Sequence, residues 1–412
     1  MIPIARPMLG EEEARAAREA ILSGWVTQGP KVAAFEAQFA SFVGSPYACA
    51  VANCTAALHL ALLVVGVEPG DVVISVSHSF IATANAVRHC GAEPVFVDVS
   101  PDDYNLSPAA LEAFVRDQCE RRDGALYYRD VERLVRGESP LTALVGRQHA
   151  IGRVAAIVPV HQIGMPCEIE AIANVARRFG LPLVEDAACA IGSEVDVGGK
   201  SQRIGRPHGD IACFSLHPRK LITTGEGGLI TTQNAEYDAR FRLLRHHGMG
   251  VSDLLRHESP EVIVGGYPTT GYNYRLSDIQ AAVGIEQLKR LPAMLEERAA
   301  IDAAYRRRLA DLDWLRLPTS RVGARSNWQS YAVRVLEGAP LGRDALMQHL
   351  CDHGVSSRPG IMNAHQERPY ADAGWSLPES ERARDEVLLL PFFNGMTDEE
   401  LERVCAALHA AR

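Results

Sequence analysis

The chain has 412 residues, of which 47% are hydrophobic and 23% charged, and this balance is ordinary for a globular protein. Its length exceeds one simple core and suits a large domain with a smaller one. The net charge of −9 argues against a general binder of nucleic acids or anionic membranes, although a local basic pocket could still hold a phosphorylated ligand. No apolar run reaches membrane-spanning length.

The nine cysteines include no Cys-x-x-Cys pair, and the N-terminal segment lacks the basic and then apolar parts of an export signal. We therefore expect reduced thiols in a cytoplasmic protein. Neither a disulfide framework nor a metal site is expected.

Two helices are predicted near the N-terminus, over residues 11–24 and 31–43, with a Gly/Pro-bounded loop between them. A strand over 47–52 then leads through a polar turn into an Ala/Leu-rich helix that begins near Cys54 and Thr55. The free N–H groups and the positive dipole end of such a helix can hold a phosphate. An ordinary helix cap is the alternative.

Three further strands are predicted, over residues 71–76, 93–98 and 154–160. The third is continuously apolar, as in a sheet covered on both faces. Phe80 follows the first of these strands and His161 follows the third. Each side chain could line a pocket at the strand ends, or Phe80 could belong to the core and His161 could be a hydrogen-bonded structural histidine.

Residues 119–153 form an irregular stretch that is rich in Arg, Asp and Gly. This composition predicts a solvated surface excursion. A cover over the mouth of an active site is the functional alternative.

A helix over residues 168–179 and a strand over 181–185 precede Asp186. A strand over 211–216 precedes Pro218 and Lys220, and the turn Gly225-Glu-Gly-Gly228 follows. A lysine just past a strand end lies where α/β enzymes place reactive groups, whereas a solvated loop lysine is the alternative.

The C-terminal part alternates predicted helices with short strands. The helices are expected over 278–310, 342–353 and 397–411, and the strands over 331–335 and 387–390. Arg358 lies between these elements and could contact a substrate anion or face solvent.

The segment Phe214-Ser-Leu-His-Pro-Arg-Lys220 with Gly225-Glu-Gly-Gly228 resembles the Schiff-base segment of the DegT/DnrJ/EryC1/StrS aminotransferases. These pyridoxal-phosphate (PLP) enzymes aminate keto-sugars that are usually nucleotide-linked. Further matches follow in chain order over nearly the whole chain, apart from the insert at about 119–153. They are the segments at residues 53–58, 79–86, 185–189 and 271–282.

The resemblance implies an α/β protein of PLP-dependent transferase fold type I, similar to aspartate aminotransferase. A large domain with a mostly parallel sheet is expected over residues 1–250. A smaller α/β domain is expected over 251–412.

The resemblance also implies the roles of the site residues. Lys220 is the Schiff-base lysine and later the general base, and Asp186 pairs with the pyridine nitrogen of PLP. Phe80 stacks on the ring. The other expected cofactor contacts are Cys54, Thr55 and Ser215 around the phosphate and Cys189 near the ring hydroxyl. Two of these depart from the family, because Cys54 stands in place of Gly and Cys189 in place of Gln.

In the family, an Asn in the position of Asn273 reaches the PLP phosphate of the other subunit, which implies a homodimer. The expected substrate-side residues are His161, Arg275 and Arg358. Lys220 must be neutral to act as a base, and burial together with the cationic imine is expected to lower its pKa.

The implied reaction moves an amino group from glutamate or glutamine to a keto-sugar, in amino-sugar, polysaccharide or glycoside biosynthesis. A sugar dehydratase of the same family is one alternative, but its lysine is replaced by His. A non-catalytic binding protein with this fold is another, and it is expected to lack Lys220 or Asp186. A nucleotide-dependent oxidoreductase is disfavoured because no Gly-x-Gly-x-x-Gly follows a strand.

Overall fold

The computed structural model describes residues 1–146, 150–251, 262 and 265–411. Seven strands of this part of the chain form a central sheet in the order β1-β11-β10-β7-β6-β2-β3, in which parallel bridges between residues 157 and 183 and between 160 and 186 join β6 to β7. Every strand runs parallel except β11, which is antiparallel to both of its neighbours. The strands are β1 (Tyr47–Val51), β2 (Val72–Val76), β3 (Glu93–Val97), β6 (Val154–Val158), β7 (Val184–Asp186), β10 (Ile211–Ser215) and β11 (Gly228–Thr232). The expected mostly parallel sheet is confirmed.

Helices cover this sheet, which explains why β2, β3, β6 and β11 are buried at every residue and lack polar alternation. The helices are α1 (Glu11–Leu22), α2 (Pro30–Val43), α3 (Cys54–Val64), α4 (Ala82–His89), α5 (Pro108–Gln118), α7 (Ile169–Phe179) and α8 (Ala235–Leu244). Phe39 of α2 packs edge-on against Phe214 of β10, with ring centroids 5.1 Å apart. Helix α2 therefore packs into the main core on one face of the sheet, whereas α3 packs into a separate cluster on the other face.

Residues 119–153 are expected from their composition to be irregular and solvated; most of their described residues are exposed or half-buried, but the segment is partly regular and reaches the core. It contains the hairpin β4 (Cys119–Arg122) and β5 (Ala125–Tyr128), the short helix α6 (Val131–Leu134) and the 3-10 turn Pro140–Leu144. Leu126 and Tyr128 alternate with more exposed neighbours and belong to the main core, so the hairpin is amphipathic. Residues 147–149 lie outside the described part.

The long helix α9 (Asp278–Arg308) joins two hydrophobic cores. Its first half carries Ile285 and Leu291 into the core around the main sheet, and its second half carries Ile301 and Tyr305 into a second core. The division into domains at residues 250 and 251 remains a prediction, and residues 252–261 beside it lie outside the described part.

The second core surrounds a four-stranded antiparallel sheet in the order β12-β14-β16-β15. Its strands are β12 (Leu315–Arg316), β14 (Tyr331–Val335), β15 (Arg358–Pro359) and β16 (Val387–Leu390). The helices of this region are α10 (Arg343–Asp352), α11 (Arg368–Ala371), α12 (Pro378–Glu386) and α13 (Asp398–His409). A smaller sheet comprises β8 (Glu194–Val197), β9 (Lys200–Arg203) and β13 (Ala324–Arg325).

Asp278, at the start of α9, also holds the N-terminal loop. Its carboxylate accepts hydrogen bonds from the backbone N–H groups of Gly29, Lys31 and Val32 at 2.8–3.0 Å. A buried carboxylate at these otherwise unpaired donors stabilises the start of α2. Within the described ranges, no helix is both long and apolar enough to cross a membrane.

Candidate active site

A cavity of about 860 Å³ opens at the carboxyl ends of β1, β2, β7 and β10. The segment around Arg358 and residues 360–362 of the C-terminal part form another wall. Of the residues expected at the site from the sequence, the cavity is lined by Cys54, Thr55, Phe80, Asp186, Cys189, Ser215, Lys220 and Arg358. Strand ends that are far apart in sequence therefore meet at one place, as expected for an open α/β sheet.

Lys220 lies in a turn between β10 and β11 and points its amine at a sulfur atom. Its backbone N–H donates to the carbonyl of His217 at 2.8 Å, and its Nζ donates to Sγ of Cys189 at 3.0 Å. Cys189 thus occupies the place of the family glutamine and contacts the lysine directly.

The pKa of Lys220 differs from the expected lowering. Burial acts to lower this pKa, but the Cys189 sulfur, Cys54 and the Asp186 carboxylate act in the opposite direction, and the net result is a raised pKa. The expectation named burial and a cationic imine; burial does act in the expected direction, but the two cysteine sulfurs and the carboxylate outweigh it.

Asp186 is a buried carboxylate at the end of β7. Its Oδ2 accepts a hydrogen bond from Thr83 Oγ1 at 2.7 Å, and its Oδ1 accepts from the backbone N–H of Ala188 at 3.1 Å. Burial raises the pKa of Asp186, whereas the bonds from Thr83 and Ala188 and the charge of Lys220 oppose this rise. These contacts hold the carboxylate in one orientation at the cavity wall.

The start of α3 forms one corner of the cavity. Asn53 caps the helix by accepting from the N–H of Ala56 at 2.9 Å, so the N–H groups of Cys54 and Thr55 belong to the first turn, where no helical carbonyl can reach them. Cys54 does not have a positive φ, so its replacement of the family glycine imposes no backbone strain.

Gly228 lets the Lys220 turn approach this corner closely. A Cβ at Gly228 would lie 2.5 Å from the backbone oxygen of Asn53, which no real side chain tolerates. Gly228 also pairs with Ser215 in the ladder between β10 and β11, so Ser215 lies beside the helix start.

Phe80 is 66% exposed and lines the cavity, so the alternative of a core phenylalanine is wrong. It follows the buried segment at residues 77–79, where Ser79 Oγ lies 2.9 Å from Thr83 Oγ1. Ser79, which precedes Phe80 in the chain, is therefore hydrogen-bonded to Thr83, the residue that orients Asp186.

His161 does not line the cavity, and the expectation of a substrate contact is corrected. The imidazole is completely buried. Its Nε2 is 3.1 Å from Oε2 of Glu185, and its Nδ1 accepts from the N–H of Cys167 at 3.0 Å. Both ring nitrogens are thus engaged in structural bonds, while the next residue, Gln162, lines the cavity.

Asn273 and Arg275 also lie outside the lining of this one-chain cavity. Asn273 is exposed, and its Oδ1 accepts from Nη2 of Arg275 at 3.0 Å. A contact from Asn273 to a second subunit stays a prediction.

Several residues of the site were not assigned a role from the sequence. Thr83 lies within the segment at 79–86, and a hydroxyl one helical turn after the cavity phenylalanine is the signal that could have found it. Arg219 and Gln329 line the cavity as well. Gln329 is brought in from the C-terminal part, and no local pattern marks it.

This set of groups fits PLP. A half-buried lysine at the cavity wall can carry its aldehyde, a buried carboxylate can face its ring nitrogen, and a helix start with N–H groups that no helical carbonyl reaches can hold its phosphate. The absence of a Cβ at Gly228 keeps that corner compact.

The chain matches the DegT/DnrJ/EryC1/StrS aminotransferase family over residues 7–409. Among solved structures it is similar to the aminotransferase TlmJ from Streptoalloteichus hindustanus, with 32% identity, a TM-score of 0.80 and coverage of 100% of this chain and 98% of that one. It is similar to DesV of S. venezuelae at 30% identity, with a TM-score of 0.79 and coverage of 97% and 94%.

A third similar structure is the PMP form of the sugar aminotransferase Spr1654 from Streptococcus pneumoniae. The identity is 25%, the TM-score is 0.83, and the alignment covers 100% of this chain and 99% of that one. The chain therefore belongs to the DegT/DnrJ/EryC1/StrS family and is a PLP-dependent aminotransferase of fold type I.

Proposed function

We propose that this aminotransferase moves an amino group from glutamate or glutamine to a keto-sugar that is linked to a nucleotide. The observation that carries the proposal is the half-buried Lys220, whose amine donates to Cys189 and shares one cavity with the buried Asp186 carboxylate. A dehydratase of this family lacks the lysine, and a binding protein has no need of both groups. The sugar aminotransferase Spr1654 supports the sugar as the amino acceptor.

Bound PLP supplies an electron sink that makes the α-hydrogen of an amino acid acidic. The residues of the chain supply the rest. Lys220 carries the cofactor at rest and, once free and neutral, takes a proton from the donor carbon and returns it to the product. Asp186 keeps the ring nitrogen protonated, because an ionised carboxylate beside it stabilises the charged form.

The remaining cofactor contacts position the ring. The first turn of α3, with Cys54 and Thr55, and the hydroxyl of Ser215 hold the phosphate. Phe80 and Cys189 line the cavity, where Phe80 would cover one face of the ring and Cys189 would contact the ring hydroxyl. A thiol is a weaker hydrogen-bond partner than the family glutamine, so it would hold the ring hydroxyl less firmly.

Two arginines favour an anionic substrate. Arg219 and Arg358 both line the cavity, and neither guanidinium has a carboxylate partner among the described residues. An unpaired guanidinium at a cavity wall suits a carboxylate or a phosphate. These side chains are therefore assigned to the carboxylate of the amino donor and to the phosphates of the nucleotide.

We also assign the active form to a homodimer in which Asn273 and Arg275 complete the site of the second subunit. Asn273 is exposed and the adjoining Arg275 is half-buried, and their position outside the one-chain cavity supports this arrangement. The exposed apolar side chains of Ile21 and Leu22 on α1 supply further surface for a partner. Light scattering should report a dimer. Asn273→Ala should weaken PLP binding and leave the dimer intact.

The first experiment is the visible absorbance of the purified protein with PLP, before and after glutamate or glutamine is added. The yellow lysine-bound cofactor should be trapped by borohydride on the peptide that contains Lys220, and the donor should bleach it. Lys220→Ala should abolish trapping, whereas Lys200→Ala, at an exposed lysine of β9, should not.

The second half of the reaction is tested with a panel of nucleotide-linked keto-sugars. Amino-sugar formation that consumes one donor per product supports transamination. Loss of a sugar hydroxyl without use of the donor would indicate a dehydratase, and a colourless protein that takes up no PLP would indicate a binding protein.

A further inference from the structure

Gln329 contacts the chain on both sides of Lys220. Its Oε1 accepts from the backbone N–H of Leu221 at 3.0 Å, and its Nε2 donates to the backbone carbonyl of Arg219 at 2.6 Å. The side chain is 6% exposed and lines the cavity. One amide from the C-terminal part thus brackets the lysine, and both its donor and its acceptor are used.

The segment that carries Gln329 is itself held in place by hydrogen bonds. The N–H of Gln329 donates to Oδ1 of Asn327 at 2.9 Å, and Nη1 of the buried Arg298 donates to the carbonyl of Trp328 at 2.6 Å. Nε of Arg298 donates in turn to Asn394 at 2.9 Å. Trp328 has a φ of 52°, a left-handed conformation that a tryptophan adopts only when its surroundings impose it.

The same segment also supports the partner of the lysine amine. Nδ2 of Asn327 donates to the carbonyls of Cys189 at 2.9 Å and Ile191 at 2.8 Å. Because Cys189 Sγ accepts from Lys220, both ends of this contact are tied to residues 327–329. A residue with left-handed backbone, a buried arginine and five hydrogen bonds of the Gln329 and Asn327 side-chain amides thus hold the surroundings of one amine.

We propose that Gln329 is a positioning residue that presents the Lys220 amine to the cofactor, so that the C-terminal part of the chain controls how readily the lysine reacts. This inference rests on the proposed role of Lys220. A lysine whose backbone is free on either side samples orientations that do not lead to reaction, and misplacement by about 1 Å can cost roughly 100-fold in rate.

Three variants test the two hydrogen bonds, and one of the three separates them. Gln329→Ala removes both, and Gln329→Asn is one methylene too short to span them. Gln329→Glu has the same shape and, when ionised, still accepts from Leu221 but cannot donate to the carbonyl of Arg219, so it is assayed at alkaline pH. The matched control is Gln348→Ala, at an exposed glutamine on α10.

The first measurement uses the protein without cofactor and does not depend on activity. Hydrogen–deuterium exchange of the peptide over residues 216–224 should be faster in Gln329→Ala, because the N–H of Leu221 loses its acceptor. Gln329→Glu should retain protection in this peptide, and a peptide from β2 should be unchanged in all variants. Unchanged exchange in Gln329→Ala would show that the Gln329 side chain does not hold the backbone beside Lys220.

The second measurement is the rate at which added PLP forms its borohydride-trappable linkage to Lys220. We expect a decrease of about 10- to 100-fold in Gln329→Ala and in Gln329→Glu, with a shift in the pH dependence of the visible absorbance. Gln348→Ala should match the wild type. If Gln329→Ala does not fold, Gln329→Glu carries the test.

The outcomes distinguish the two proposals. A wild-type protein that never links PLP to Lys220 contradicts the proposed function, whatever the exchange data show. If the wild-type protein links PLP to Lys220 and the Gln329→Ala and Gln329→Glu variants do so at the wild-type rate, only the proposed role of Gln329 is contradicted.

Discussion

The hydroxyl of Thr83 should set how strongly Asp186 is held as a carboxylate. Thr83 Oγ1 donates to Asp186 Oδ2 at 2.7 Å in a buried setting. A hydrogen bond to a charged group contributes about 1.5–3 kcal/mol. Thr83→Val keeps the shape of the side chain and removes this bond, so the ionised form of Asp186 should lose about that free energy, equivalent to a factor of roughly 10–150.

The sign of the pH effect follows from the direction of the pKa change. Burial already raises the pKa of Asp186, and the hydrogen bond from Thr83 opposes that rise. Without the hydroxyl the pKa of Asp186 rises further, so more of the carboxyl is protonated at a given acidic pH. Activity should therefore begin to fall at a higher pH than in the wild type as the solution is acidified.

The assay is the single-turnover rate at which an amino donor bleaches the PLP-loaded protein, followed across pH. Thr83→Ser retains the hydroxyl and should stay near the wild type, whereas Asp186→Asn keeps the size of the side chain without its charge and should be the slowest. A Thr83→Val rate and pH profile equal to those of the wild type would refute the proposed link between Thr83 and Asp186.

Three further perturbations test the cavity corner at the start of α3, the buried His78 and the insert. Gly228→Ala should sharply weaken PLP binding in an absorbance titration, because the new Cβ collides with the backbone of Asn53. In the control Gly266→Ala the new Cβ has no atom within 4 Å, so this variant should bind PLP normally. Equal affinities of the two variants would contradict a phosphate site at the start of α3. Burial lowers the pKa of His78 from 6.5 to about 4. As the pH falls, this histidine is therefore protonated in the unfolded chain before it is protonated in the folded one. The free energy of unfolding should consequently fall by about 3 kcal/mol between pH 6.5 and pH 4. Denaturant titrations should show less of this loss in His78→Gln, and an unchanged slope would exclude His78 as its source. Tyr128→Ala should cost about 3–5 kcal/mol of unfolding free energy, since the ring is completely buried, and a cost below about 1 kcal/mol would place the insert outside the core.

Local patterns in the sequence determined the elements and the chemical groups. The strand over residues 331–335 has the predicted bounds, and the predicted helices over 31–43 and 168–179 differ from the structure by one residue at their starts. Hydrophobic periodicity, turn residues and caps act over a few residues, so they can be read from one stretch of chain. The motif around Lys220 likewise indicated the cofactor without knowledge of the fold.

The environment of each group was decided by tertiary structure. His161 stands at a strand end as a pocket residue would, but Glu185 and Cys167 engage both of its ring nitrogens. The raised pKa of Lys220 depends on Cys189, and its placement depends on Gln329, which belongs to a remote part of the sequence. The burial of a side chain, the charges around it and its hydrogen bonds to remote residues arise only when distant segments meet. They depend on distances in space and not on spacing along the chain.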